Sequence, residues 1–353
     1  MAGPTDTGAG FSETLAGNSL ETTPPPPLTA SLLGATQLGA AKTMTTGARP
    51  PVEALRRVGR FAVLREVGRG AMGVVYAGYD EELDRRVAIK LVAFADTGDP
   101  SRGRNHLLRE AQALARLTHP NVVTVFEAGV HDDQVFVAME YVEGVDLQRW
   151  LSTEVRGWRE VVATFLQAGA GLLAAHKVGL VHRDFKPSNV LVGEDGRVRV
   201  ADFGLAAHRD GPGGPPTGPV PEDIHSTGET RARSRQLAAT IVGAGALVGT
   251  PAYMAPEQFR HESATAASDQ YAFTAALFEA LYGHLPFAGE TLAELIEQVL
   301  RGELPTAPPD PAVPAWLHAL VLRGLARDPA ARFPDMAALL AELARDPEAQ
   351  RRR

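Results

Sequence analysis

The chemistry of this chain concentrates in one segment, His182-Arg183-Asp184-Phe185-Lys186-Pro187-Ser188-Asn189, followed downstream by Asp202-Phe203-Gly204. A carboxylate at Asp184 can orient an attacking hydroxyl and accept its proton. Asn189 and Asp202 offer hard oxygen ligands of the kind that Mg²⁺ takes alongside substrate phosphates. Two strand-like runs, 190–192 and 198–200, are joined by the turn residues Glu194-Asp195-Gly196 and can bring both oxygens back to one metal pair. Lys186 lies two residues beyond Asp184 and can neutralise charge on a transferred group. An isolated aspartate is usually a turn residue, but six polar residues in this order and spacing are not explained that way.

Two further motifs fit the same chemistry. In Gly68-Arg69-Gly70-Ala71-Met72-Gly73-Val74-Val75, three glycines between strand-like runs allow a backbone hairpin to close over phosphates. Glycines between strands more often make a plain turn, and a dinucleotide-binding reading would require a helix directly after them. Val74-Val75-Tyr76-Ala77 continues instead as a strand, which favours a loop covering a nucleotide. Val87-Ala88-Ile89-Lys90 reads as a strand ending in a lysine. Its common fate is solvation; its chemical use, as a point charge on phosphates, needs a carboxylate partner. Glu110, beside the apolar face of the following helical segment, is the expected partner.

The elements that must position these residues follow from hydrophobic periodicity. From Arg60 onward, alternating runs around Phe61–Val67, Val74–Tyr76 and Val87–Leu91 predict strands. Leu107, Leu108, Ala111, Leu114 and Leu117 predict a helix over 102–117. Strands are expected again at 122–126 and 135–139. Beyond Gly144 the pattern is helical at 160–177, 268–282, 290–301, 314–326 and 335–344. A small β-rich portion followed by a larger helical one is an α+β arrangement.

Residues 1–55 are rich in Pro, Thr, Gly and Ala and are expected to be disordered. The segment 28–38, with its leucines, is the one candidate for docking there. Residues 209–248 form a second polar, Gly- and Pro-rich stretch inside the patterned region. The net charge of −7 argues against nucleic-acid binding through a basic surface, and the absence of cysteine excludes thiolate chemistry and disulfides. No secretory signal and no apolar run long enough to span a bilayer is visible, so the expected location is cytoplasmic. The Ala, Gly, Pro and Arg bias is associated with GC-rich bacterial genomes.

Together these motifs resemble a complete protein kinase catalytic domain over residues 60–345, of the bacterial eukaryotic-like serine/threonine class. The resemblance implies a two-lobed fold with ATP in the cleft. The N-lobe would span about 60–142, the C-lobe about 143–345, a long activation loop 205–254, and a basic tail 346–353. It further implies that Val67, Gly68, Arg69, Gly70, Ala71, Met72, Gly73 and Val75 cover ATP. Lys90 would hold the α- and β-phosphates and pair with Glu110. Asp184 would be the catalytic base aided by Lys186, with Asn189 and Asp202 on Mg²⁺, Mn²⁺ being an alternative ion. Met139 would be the gatekeeper before a hinge of Glu140, Tyr141 and Val142, with Ala88 and Leu191 joining Val75 around the adenine.

By the same likeness Glu257, in Ala255-Pro256-Glu257, would pair with Arg332, and Asp269 would brace the catalytic loop. Lys186 after Asp184, and the segment Gly249-Thr250-Pro251, resemble serine/threonine kinases rather than tyrosine kinases. Thr250 is expected against Asp184 and Lys186. Phe185 departs from the commoner leucine. The implied partners are ATP and protein substrates with Ser or Thr acceptors, with self-association for autophosphorylation inside the loop. Among Thr217, Ser226, Thr227, Thr230, Ser234 and Thr240, the last is the favoured acceptor. A pseudokinase scaffold is the alternative, yet each residue whose loss marks that class is present. A small-molecule phosphotransferase would generally lack Ala255-Pro256-Glu257 and the long loop.

Overall fold

Alternating β-branched and small residues in the first third of the chain form an antiparallel sheet with one buried face. A computed structural model describes residues 57–70, 73–92, 100–203, 250–304, 310 and 312–347, excluding the side chains of 100–103, 106 and 250. The first sheet holds β1 (Arg57–Val58), β2 (Phe61–Gly70), β3 (Gly73–Asp80), β4 (Arg85–Val92), β5 (Val125–His131) and β6 (Gln134–Glu140), in the order β1-β2-β3-β4-β6-β5. Phe61, Val74, Tyr76, Val87, Ile89, Phe136 and Ala138 form its core. Helix α1 (Pro100–Leu114) packs on β5 and β6 through a stripe that includes Leu107, Ala111 and Leu114, the three- and four-residue spacing of an amphipathic helix.

Strand β5 starts later than the expected 122–126. Residues 121–123 are taken by the second sheet: Val200 N–H donates to the Asn121 carbonyl and Val123 N–H to the Val200 carbonyl, both at 2.9 Å. That sheet consists of β7 (Gly144–Asp146), β8 (Val190–Gly193) and β9 (Val198–Val200). Its register places Gly144 opposite Gly193. A Cβ on Gly144 would lie 2.1 Å from the Val192 carbonyl oxygen, so only glycine lets the connector approach β8 this closely.

The second portion is helical. Helices α2 (Leu147–Thr153), α3 (Trp158–Lys177), α4 (Pro256–Phe259), α5 (Ala266–Tyr282), α6 (Leu292–Arg301), α7 (Ala315–Gly324) and α8 (Met336–Leu343) follow in order. Strand β7 and helix α2 have no counterpart in the periodicity, being too short to carry one. Asp146 starts α2 by accepting from Arg149 N–H at 2.8 Å, an ordinary N-cap. Helix α3 buries Val161, Phe165, Ala168, Leu172 and Ala175 along one stripe. In α5 every residue from Ser268 to Phe278 is buried, which makes it the central helix around which the others pack.

Candidate active site

The loop 182–189 is held from below by the central helix. Asp269, on α5, is 1% exposed. Its Oδ2 accepts His182 N–H at 2.7 Å and its Oδ1 accepts Arg183 N–H at 2.8 Å. His176, at the end of α3, donates from Nε2 to the same carboxylate at 2.8 Å. A buried carboxylate requires such donors, and here they fix the loop backbone. Arg183 consequently sits in the left-handed region at φ 69°. The His182 ring spans the loop and the next strand: Nε2 donates to the Ala201 carbonyl at 2.8 Å, while Nδ1 accepts Asp184 N–H at 3.3 Å. Phe185 is 1% exposed, its ring 5.7 Å from Phe273 and 5.8 Å from His182; the departure from leucine is absorbed by this aromatic cluster.

The polar ends of the loop converge. Asp184 Oδ2 accepts from Lys186 Nζ at 2.9 Å and from Asn189 Nδ2 at 3.3 Å. Asn189 Nδ2 also donates to the Asp184 carbonyl at 2.8 Å, which leaves its Oδ1 as an acceptor on the opposite side. Hairpin β8–β9 returns the chain to Asp202, at φ 64°. There Lys90, 3% exposed at the centre of β4, pairs with Asp202 Oδ2 at 2.8 Å. Burial pushes the Asp202 carboxyl upward, but the Lys90 ammonium outweighs it and holds the group below the usual carboxylate range.

The helical segment 250–259 is tied to this loop and to the core. Gln258 Nε2 donates to the Arg183 carbonyl at 3.2 Å. Glu257 and Arg332 form a bidentate pair at 2.8 Å for both contacts, with side chains 4% and 0% exposed. Ser268 Oγ donates to Glu257 Oε1 at 2.8 Å.

With this geometry in view, comparison with known proteins is decisive. The family model described as "Protein kinase domain" matches residues 61–342. The chain belongs to the protein kinase family. It is similar to the serine/threonine-protein kinase PknL of Mycobacterium tuberculosis, 35% identical over 84% of this chain and 68% of that one. It is also 34% identical to the serine/threonine-protein kinase PrkC of Bacillus subtilis, over 78% of this chain but 38% of PrkC, so it spans well under half of that relative. Among solved structures, the PknI kinase domain of Mycobacterium tuberculosis is similar at TM-score 0.57 and 26% identity, covering 81% of this chain and 95% of that one. The relatives place the chain among bacterial serine/threonine kinases, a family that uses ATP and a divalent metal.

In this kinase domain the expected Lys90–Glu110 pair is not formed. Glu110 Oε1 accepts from Arg183 Nη1 at 2.9 Å, and Lys90 pairs with Asp202 instead. Two cations, Lys90 and Arg183, and two carboxylates, Asp202 and Glu110, admit more than one pairing, and the structure has Lys90 on Asp202 and Arg183 on Glu110. Sequence order cannot reveal which of these exchanges is occupied.

The remaining candidates fall as follows. Gly68 pairs with Val75 and Gly70 with Gly73 across the β2–β3 hairpin; Val67 is 48% exposed on the same strand, and Arg69 bonds Glu66 at 2.7 Å. Ala71, Met72 and the loop 205–249 lie outside the described residues, as does the Thr250 side chain. Ala88 pairs with Met139 across β4 and β6, Val75 with Lys90 across β3 and β4, and Leu191 with Asp146 across β7 and β8. Met139 is 8% exposed, and Glu140 closes β6, with Val142 in the connector that follows. Arg199, by contrast, belongs to none of the sequence motifs. It is a basic residue between two buried valines of a short strand, and that misfit was the available signal.

Proposed function

We propose that this chain transfers the γ-phosphoryl group of ATP to serine and threonine hydroxyls of proteins. The observation that carries the reading is the convergence of Asp184, Lys186 and Asn189 on one side of the cleft with Lys90 and Asp202 on the other. Asp184 accepts the proton of the acceptor hydroxyl, whose oxygen forms a bond to the γ-phosphorus as the bond to the β–γ bridging oxygen breaks and ADP leaves. Lys186, already on the Asp184 carboxylate, neutralises charge gathering on the transferred group. Lys90 steadies the α- and β-phosphates. Residues 67–75 cover the phosphates, and the segment 139–142 with Val75, Ala88 and Leu191 holds the adenine.

Asn189 Oδ1 and the Asp202 carboxylate suit Mg²⁺, with Mn²⁺ as the alternative. Among the described residues no group of three His, Asp or Glu could hold a metal, and Mg²⁺ bound largely through phosphates and water needs only one or two protein ligands. The ion supplies charge neutralisation between the phosphates when bound. The low-lying carboxyl of Asp202 keeps that ligand ionised at working pH.

We propose further that phosphorylation of the chain by itself within 205–249, at Thr240 first, raises its activity. The Arg183–Glu110 contact supports this reading. A phosphate carrying about −1.5 to −2 charges competes with Glu110 for the Arg183 guanidinium. Exchange between copies, through self-association, would supply the phosphate.

Residues 60–345 are read as the catalytic domain, with 1–55 and 346–353 outside it, acting in the cytoplasm. No helix among the described residues is long and apolar enough to cross a membrane. Mass spectrometry of protein incubated with Mg-ATP, as wild type and as Asp184→Asn, tests the proposal. Phosphate within 205–249 is expected on the wild type alone; equal phosphate on both forms would overturn self-phosphorylation.

A further inference from the structure

The segment joining the two portions of the domain is braced by three arginines, of which one is buried. Arg65 reaches the Tyr141 hydroxyl at 3.1 Å from an exposed position. Arg86 pairs with Glu143, at side-chain exposures of 58% and 51%, and exposed contacts of this kind contribute little. Arg199 differs. Its side chain is 4% exposed, and its Nε donates to Glu140 Oε1 at 2.9 Å. On its other side Nη2 and Nη1 donate to the two oxygens of Asp195 at 2.7 and 3.1 Å. The guanidinium is thus forked between the turn of hairpin β8–β9 and the last residue of β6. The second Glu140 oxygen accepts Thr124 N–H at 3.4 Å, and Glu140 N–H donates to the Thr124 carbonyl at 2.8 Å. A guanidinium out of water must be paired, and one fully paired resists displacement. Hydrogen bonding to Asp195 and the nearby Glu140 charge raise the Arg199 pKa further, so the clamp stays charged.

The clamp has its own steric requirement. A Cβ at Gly193 would lie 2.4 Å from Asp195 Oδ1 and 2.9 Å from Arg199 Nη1, so a glycine ends β8 where the guanidinium enters.

We infer that Arg199 is a positioning residue for nucleotide recognition: by clamping the Glu140 side chain to β9 and Asp195, it fixes the backbone groups of the connector that read adenine. The inference rests on the assignment of 139–142 to adenine. Its consequence lies in discrimination rather than in chemistry. Backbone donors and acceptors held in place reject a base whose edge presents the opposite pattern, because the polar groups of the site are then left unpaired. A loosened connector loses that selectivity while Asp184, on a separate loop, keeps its geometry.

The test compares Arg199→Met with wild type for KM and kcat on ATP and on GTP, alongside the melting temperature. One charge-assisted hydrogen bond corresponds to about tenfold in binding. Arg199→Met should therefore raise KM for ATP about tenfold, with kcat at saturating ATP within about threefold, and the preference for ATP over GTP should fall by a similar factor. Arg199→Lys, which keeps the charge but not the fork, should recover part of the preference. If Arg199→Met does not fold, Glu140→Gln tests the same contact from the other side and should lower the preference likewise. A variant that melts earlier with KM and preference unchanged would overturn the inference and leave Arg199 merely structural. A wild type that shows no preference between ATP and GTP would instead overturn the adenine assignment, and the inference with it.

Discussion

Arg183 and Asp202 both occupy the left-handed region, at φ 69° and 64°, where a side-chain-bearing residue is uncommon and asparagine or aspartate is best tolerated. This matters for how the site is probed. Asp202→Asn keeps the backbone preference while removing the negative charge that faces Lys90, and Lys90→Met keeps the volume of a side chain 3% exposed. Each should lower turnover by about 10²–10³-fold with the fold intact. Steady-state kinetics and circular dichroism check this, and retention of more than about a tenth of wild-type activity would refute the assigned roles.

Glu257 supplies a pH prediction at the same scale. Burial raises its pKa, but the hydrogen bonds and charge of Arg332, together with the backbone and Ser268 hydrogen bonds, outweigh burial and leave it below the usual glutamate value. Its stabilising contribution is therefore complete above pH about 4.3 and is lost as pH falls through the lower native value. Arg332→Leu should cost about 3–5 kcal/mol near pH 7, since a buried carboxylate loses its counter-charge. In that variant burial is opposed only by the Ser268 and backbone hydrogen bonds, so the Glu257 pKa rises and part of the loss should return as pH falls toward about 5. Thermal melts from pH 5 to 8 distinguish the two slopes. Asp184, Lys186, Asn189 and Asp202 were legible in the sequence because a short loop and one hairpin bring them together. The partners of Lys90 and Glu110 were not, because two cations and two carboxylates allow two pairings and sequence order does not choose between them.

Helix α1 carries the exchange at the scale of elements. Glu110 bonds Arg183 in the present arrangement, and the same side chain is expected on Lys90 when the loop is phosphorylated. Arg183→Asn, which tolerates the left-handed backbone, removes both the contact that detains Glu110 and the receiver of the loop phosphate. Phosphorylation should no longer stimulate the variant. Assays of phosphatase-treated and self-phosphorylated enzyme check this; a variant still stimulated as strongly as wild type would contradict the competition.

The longer elements were readable from periodicity, as α1, α3, α5 and the strands β2 to β4 are. What escaped was set by tertiary pairing or by brevity: residues 121–123 join β9 rather than β5, and β7 is a strand because it meets β8. The clamp at Arg199 escaped for the same reason. Its two partners lie on different strands and turns, and only their meeting makes a buried arginine tolerable.

Across the whole molecule, α5 is the reference to which the active loop is fixed, through Asp269, and to which the 250–259 segment is fixed, through Ser268 and Glu257. The buried hydrophobic residues described run from Val58 to Leu343. The Pro-, Thr-, Gly- and Ala-rich composition of residues 1–55 favours no packed core, so removing them should leave catalysis within about twofold and the melting temperature within a few degrees. A large fall in either would mean that the leucines of 28–38 contribute to the folded domain.

The chemistry proposed for this chain is phosphoryl transfer with Asp184 as base. It is tested most directly by following the γ-phosphate of labelled ATP, with Mg²⁺, onto a generic acceptor protein such as casein. Wild-type chain should place label on serine and threonine and not on tyrosine. Asp184→Asn, melting at the wild-type temperature, should be slower by about 10²-fold or more. Transfer by Asp184→Asn at the wild-type rate, or label on tyrosine alone, would contradict the account.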